Sequence, residues 1–168
     1  MKNAIWIGLL LLCMAGCGAE PVYETIGNVW DNEQTVHSPS VIEFALPEDA
    51  QMEVLGNTDT GAVYQIGQWT LWTQVLEGGD VPRSMETLSG LKKDRLQIIS
   101  HPLGSYSCYE AVWSAAEEEG ETLVRTAVIP YGPYHYCLSL KAPAEQGEQA
   151  GGLFSGILEN VYLNDTTP

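Results

Sequence analysis

The stretch from Tyr106 to Leu140 constrains the fold more than any other part of the chain. Tyr106 to Ala115 alternates in character, with Tyr109, Ala111 and Trp113 on one face. Glu117 to Glu121, with Gly120 inside, reads as a polar hairpin loop, and Thr122 to Ile129 returns as a second strand. Tyr131-Gly132-Pro133-Tyr134 turns the chain again, and Tyr136, Leu138 and Leu140 share one face of a third strand. Connections this short join antiparallel neighbours, because a parallel crossover needs a dozen or more residues. The spacing therefore predicts a three-stranded antiparallel meander at the centre of the domain.

The segments around it read as further strands and two helices. Val41 to Leu46 alternates Ile42, Phe44 and Leu46 against Val41, Glu43 and Ala45, and Pro47 ends it. Met52 to Leu55 is a short candidate strand. The turn cluster Gly56 to Gly61 follows, then strands at Ala62 to Ile66 and Trp69 to Leu76. Gly78, Gly79 and Asp80 break the chain, Pro82 opens a short helix carrying Met85 and Leu88, and Gly90 stands where a C-cap belongs. Lys92, Lys93 and Arg95 lie just past that helix end, where cations complement its dipole. Leu96 to Ser100 is predicted as a strand closed by His101-Pro102 and Gly104.

The clearest helical pattern comes last. Ala150, Leu153, Phe154, Ile157, Leu158 and Val161 follow the i, i+3, i+4, i+7, i+8, i+11 stripe. Gly147, Gly151, Gly152 and Gly156 sit in or beside it, and each interior glycine costs roughly 1 kcal/mol relative to alanine. Such a helix needs its stripe packed on a sheet, and its glycines suit close approach of another backbone. Val161 to Leu163 is a candidate final edge strand.

The first seventeen residues are a unit of another kind. Lys2 precedes an apolar run from Ala4 to Leu12, and small residues then lead into Met14-Ala15-Gly16-Cys17. Charge, apolar core and small-residue cleavage site in that order make a secretory signal. The run is too short to span a bilayer core, which takes roughly 20 residues. Its ending on Cys17 resembles the lipobox of bacterial lipoproteins. In that family the cysteine thiol receives a diacylglycerol, a peptidase cuts before it, and the new amine is acylated, commonly with palmitate. Cys13 is a poorer acceptor, because Leu12 before it is too large for the peptidase's small site. The resemblance implies a lipid on Cys17 and a domain held at the cell membrane on its extracytoplasmic side.

Composition fits that location. The chain has 7 Lys and Arg against 22 Asp and Glu, a net charge of −15, and loss of residues 1–16 would remove Lys2 as well. Nucleic acid, whose recognition needs a basic stripe, is excluded as a partner. Anionic headgroups repel the domain too, so a lipid anchor is the means of holding it to a membrane. With 45% apolar residues the chain can bury one core. Residues 17–40 read as the lipidated N-terminus and a polar linker, with a coil reach on the order of 25 Å. Residues 41–163 form a single domain, and residues 164–168 a polar tail.

The predicted class is α+β: a mainly antiparallel sheet with a short mid-chain helix and a C-terminal amphipathic helix packed on it. A strand ending in Phe44-Ala45-Leu46-Pro47, further strands, one short helix, a meander and a helix running into Ile157-Leu158-Glu159-Asn160-Val161-Tyr162-Leu163 resemble the PsbP-like and DcrB-like fold. That resemblance implies a non-enzymatic accessory or binding protein and no particular site. The whole chain also resembles small lipoproteins of Firmicutes.

Chemistry is sparse. Cys108 and Cys137 are a candidate disulfide outside the cytosol. Against it, the meander puts the middle strand between them, about two spacings of ~4.8 Å, where bridging fails beyond about 7 Å. His37, His101 and His135 show no metal-ligand spacing, and no metal or cofactor is expected. Asn57 to Gly61 lacks the alternating acids and closing glutamate of a calcium loop and reads as a turn. Gly104-Ser105-Tyr106-Ser107-Cys108 is no nucleophile elbow, and Cys108 with His101 or His135 has no local Cys–His signature. Glu117, Glu118 and Glu119 read as a solvated loop, and His135 as a solvent-facing or hydrogen-bonded residue opposite the tyrosine face. Tyr131, Tyr134 and Tyr136, near a turn, are the candidate binding surface for a protein, peptide or glycan partner. Two functions follow as expectations: a non-enzymatic binding module, or a hydrolase or cation-binding domain whose site assembles only in three dimensions.

Overall fold

The computed structural model describes residues 23–26, 41–47, 50–58, 60–117 and 120–164. Ten strands and two helices follow in order: β1 (Tyr23–Ile26), β2 (Val41–Pro47), β3 (Met52–Thr58), β4 (Gly61–Ile66), β5 (Trp69–Glu77), α1 (Val81–Ser89), β6 (Ile99–Leu103), β7 (Tyr106–Glu117), β8 (Gly120–Tyr131), β9 (Tyr134–Pro143), α2 (Gly147–Glu159) and β10 (Tyr162–Asn164). The large sheet has seven strands in the order β3-β4-β5-β9-β8-β7-β6, every neighbouring pair antiparallel. A second sheet has the order β1-β2-β10. The class is α+β, a single domain of mostly antiparallel sheet with two helices. Cys17 and the lipobox lie outside the described residues.

The central meander forms as its spacing predicts, with tighter turns. β7 runs to Glu117 and β8 begins at Gly120, so most of the expected Glu117 to Glu121 loop is strand. The β8–β9 turn is reduced to Gly132-Pro133, and Gly132 takes the left-handed conformation (φ 56°) such a turn demands. Pairing of β8 with β7 stops at Val128 opposite Tyr109, two residues before Pro130, which has no N–H to donate. Within the stretch read as a linker, Tyr23–Ile26 pairs with β2 as strand.

The strand predicted over Leu96 to Ser100 lies three residues later. Lys93–Arg95 forms a 3-10 turn, and Leu96 and Ile98 pack instead beside Met85. The edge strand is Ile99–Leu103, with His101 and Pro102 inside it rather than closing it. An edge position tolerates Pro102, since one side of that strand has no partner to receive a donor. Gly104 (φ 57°) then turns the chain so that Leu103 faces Tyr106 and His101 faces Cys108.

Both faces of the large sheet are covered. α1 links β5 to the far edge strand β6 by crossing one face, where Met85 packs with Ala111, Val128 and Cys137. The opposite face carries the main core: Phe44 and Leu46 of β2, Leu71, Leu138 and Leu140 of the sheet, and Phe154, Ile157 and Leu158 of α2. Phe44 meets Tyr64 edge-on at 5.3 Å. Two of the glycines of α2 face side chains. A Cβ on Gly147 would meet Leu123 and one on Gly151 would meet Arg125, while Gly152 opens onto free space.

Because side chains alternate between faces, Cys108 belongs to the α2-side core and Cys137 to the α1-side cluster. Both are free, buried thiols on opposite faces, with β8 between their strands, so the candidate bridge is not formed. Burial pushes each thiol up to about 12, aided at Cys108 by the Glu110 carboxylate. Among the described residues no helix is long and apolar enough to cross a membrane.

Candidate ligand groove and cross-strand clusters

A groove of about 620 Å³ opens where the β4–β5 turn approaches α2. Three distant segments build it: Pro47, Ala50 and Gln51 after β2; Ile66, Gly67, Gln68 and Trp69 at the turn; and Gln146, Gln149, Gly152 and Leu153 at the start of α2. Gly67 (φ 59°) supplies the left-handed residue of a two-residue hairpin, and the Gln65 amide donates to its carbonyl at 2.9 Å. The Gly67 N–H donates to the Gln51 carbonyl at 3.3 Å, tying the turn to the chain entering β3. Trp69 Nε1–H donates to Gln146 Oε1 at 2.6 Å, fixing the indole against the first residues of α2.

The lining decides what this groove can do. Its size lies in the range of ligand sites, roughly 300–1,000 Å³. Gln51, Gln68, Gln146 and Gln149 bring planar amides that both donate and accept, beside apolar Ile66, Trp69 and Leu153. No ionisable side chain lines it among the described residues. General acid–base chemistry needs a titratable group within hydrogen-bond reach. Its described lining offers a molecule shape and neutral hydrogen bonds.

The predicted tyrosine surface is elsewhere. Tyr134 and Trp69 stand at opposite ends of the paired β9 and β5, about eight residues or roughly 27 Å apart along the strand direction. Tyr136 is only 1% exposed and Tyr131 36%, with Tyr134 between them in burial. Tyr106 packs on Tyr131 edge-on at 5.5 Å, and Tyr131 and Tyr134 both pack on Tyr136. The cluster is mainly the aromatic end of the core, with Tyr131 as its exposed rim. Sequence reasoning placed Trp69 among the strand aromatics but missed the groove, because glutamines in three separate segments carry no motif.

The histidines also acquire places. His135 is buried, and its Nδ1 lies 2.8 Å from Ser84 Oγ of α1. Burial pushes it below its ordinary value, partly offset by Asp80. It pins α1 to the sheet. His101 is half-buried on β6, its Nε2 2.5 Å from Glu110 Oε1 and its Nδ1 3.2 Å from the Pro102 carbonyl. Cys108 lies between them in the pattern, and the donor atoms of His101, Cys108 and Glu110 all fall within 4.8 Å of one another. The two ring nitrogens of His101 thus meet the Pro102 carbonyl and the Glu110 carboxylate. His37 lies outside the described residues, as do the side chains of Glu117, Glu118 and Glu119. Gly104-Ser105 is simply the β6–β7 turn. Asn57 and Thr58 end β3, and Thr58 Oγ1 donates to the Gly61 carbonyl at 3.3 Å, closing a hairpin rather than a cation loop.

The fold, an antiparallel α+β sheet with one helix on each face, is similar to that of several solved structures. Solved structures of that shape include the solution structure of cyanobacterial PsbP (CyanoP) from Synechocystis sp. PCC 6803, with a TM-score of 0.53, 10% identity and coverage of 73% of this chain and 86% of that one. LpqN, described as involved in cell envelope biogenesis of Mycobacterium tuberculosis, aligns with a TM-score of 0.52 and 16% identity over 78% of this chain and 87% of its own. A protein from Bacteroides thetaiotaomicron aligns with a TM-score of 0.54 and 9% identity over 78% of this chain, which spans only 50% of that one. At these identities the likeness is one of fold. No family model and no curated protein matches the sequence.

Proposed function

We propose that this chain is a membrane-tethered, extracytoplasmic lipoprotein whose domain is a non-enzymatic binding module for an uncharged, hydroxyl-rich ligand, best met by a neutral glycan. The observation that carries this reading is the groove beside Trp69, lined by four glutamine amides and apolar surface with no ionisable side chain among its described residues. Amides match ligand hydroxyls as donors and acceptors at once, and the apolar lining suits the C–H faces of a sugar ring. The net charge of −15 repels anionic ligands from the surroundings. The lipobox at Met14-Ala15-Gly16-Cys17 supports the tether. The likeness in fold to LpqN, a protein of envelope biogenesis, supports an envelope role.

The test is titration of the full chain with a panel of neutral envelope oligosaccharides, acidic oligosaccharides and capped peptides. Gly152→Leu, which fills the open notch, and Trp69→Ala are expected to weaken the best neutral glycan at least about tenfold, since a lost anchor contact of about 1.4 kcal/mol is a factor of ten. Gly152→Leu is expected to keep the thermal midpoint within a few degrees. Binding that ignores both substitutions, a preference for peptides or acidic glycans, or turnover of the bound ligand would each overturn the proposal.

A further inference from the structure

We propose that His101, Cys108 and Glu110 form a zinc-class cation site on the β6–β7 hairpin, independent of the groove. The register creates it. His101 is paired directly with Cys108 across the hairpin, and Glu110 stands two residues along the same strand, so all three side chains share one face. Their donor atoms lie within 4.8 Å of one another. A tetrahedral zinc with bonds of ~2.0–2.3 Å sets its ligands about 3.5 Å apart. The widest pair therefore needs to close by little more than about 1 Å, while His101 Nε2 and Glu110 Oε1, now 2.5 Å apart, need to open by about 1 Å.

Two further observations point to a ligand rather than a simple ion pair. The Pro102 carbonyl lies 3.2 Å from His101 Nδ1, which orients the ring by accepting the Nδ1–H. That is the arrangement that leaves Nε2 as the coordinating nitrogen of a metal-bound histidine. Nε2 in turn faces Glu110 Oε1 at 2.5 Å, a hydrogen bond that a cation would replace. The Cys108 thiol is fully buried, and an approach opens on the Glu110 side. Ile99, opposite Glu110, is 58% exposed and Val112, two residues beyond it, is 46% exposed, so this edge of the sheet is not roofed by α2.

The donor set of one thiolate, one imidazole and one carboxylate selects a borderline-soft ion over calcium or magnesium. Uptake forms one bond each from the metal to Cys108 Sγ, His101 Nε2 and a Glu110 oxygen, with three of the metal's waters leaving. The thiol proton and the proton held between His101 and Glu110 pass to bulk solvent. Two anionic ligands then neutralise the dication. Three protein ligands leave a fourth position to solvent, as in exchangeable sites rather than closed structural ones.

The probe is cobalt(II), with zinc in competition, on the full chain carrying Cys13→Ser and Cys17→Ser so that two thiols remain. One equivalent is expected to raise a near-ultraviolet thiolate-to-cobalt band together with the visible bands of a tetrahedral ion, and zinc is expected to bleach both. Cys108→Ser should abolish the charge-transfer band, while Cys137→Ser, on the other face, should keep it. His101→Ala and Glu110→Gln, on half-buried side chains, should each weaken cobalt at least about tenfold, as even supporting residues do in metal sites. Circular dichroism identifies any variant that fails to fold. The absence of a thiolate band, or its survival in Cys108→Ser, would overturn the site.

Discussion

His135 shows how much one side chain's setting changes its chemistry. On sequence it stands between two tyrosines and faces the other way. The structure turns that alternation into a buried imidazole whose Nδ1 meets Ser84 Oγ at 2.8 Å. Burial disfavours the charged ring, so its folded value lies below the ordinary 6.5, with Asp80 pulling weakly the other way. The unfolded chain thus binds more protons than the folded one in the window just below 6.5. The contribution of His135 to stability is complete above that value and is lost as pH falls through the lowered folded value. Unfolding free energies measured by urea between pH 7 and pH 5 should fall for the wild type and fall less for His135→Asn. Equal slopes would show that His135 is not the group being protonated. Its orientation was readable from period two alone. Its burial was not, because α1, which covers it, is far away in sequence.

At the scale of elements, α2 is the part most dependent on its neighbours. Its stripe from Ala150 to Leu158 was legible, since period 3.6 survives any tertiary context, but its glycines make it a poor helix by itself. Packing must hold it, and Phe154, fully buried against the sheet, is the main contact. Phe154→Ala should therefore destabilise the domain by about 3–5 kcal/mol in urea unfolding. A loss below about 1 kcal/mol would mean that α2 is not docked as described. The β6 segment teaches the opposite lesson. Leu96 to Ser100 looks like a strand because it is apolar, yet Leu96 and Ile98 are spent on the cluster around Met85, and the strand starts at Ile99. That shift of three residues brings His101 into register with Cys108. Local pattern could not find it, since pairing with β7 and the Gly104 turn choose the register.

For the whole molecule, the proposed lipid anchor and the acidic composition make one joint prediction. A chain with net charge −15 has no attraction of its own for anionic membranes, so the proposed tether rests on the lipid at Cys17. Cys17→Ser should release the chain from the membrane fraction and end incorporation of labelled fatty acid. A variant that stays with membranes and still takes up label would refute lipidation at Cys17. The sequence by itself determined what local physics determines: the antiparallel meander from its short turns, the apolar stripe of α2, and the α+β class. Only the tertiary structure decided which segments meet. It set Cys108 and Cys137 on opposite faces, buried Tyr136 while leaving Tyr131 at the rim, and drew four glutamines and Trp69 into one groove. The reason is that turns and periodicity act over a few residues, whereas a groove or a ligand set depends on strand order and register. In this chain those are settled by α1 crossing to the far edge and by β9 joining β5.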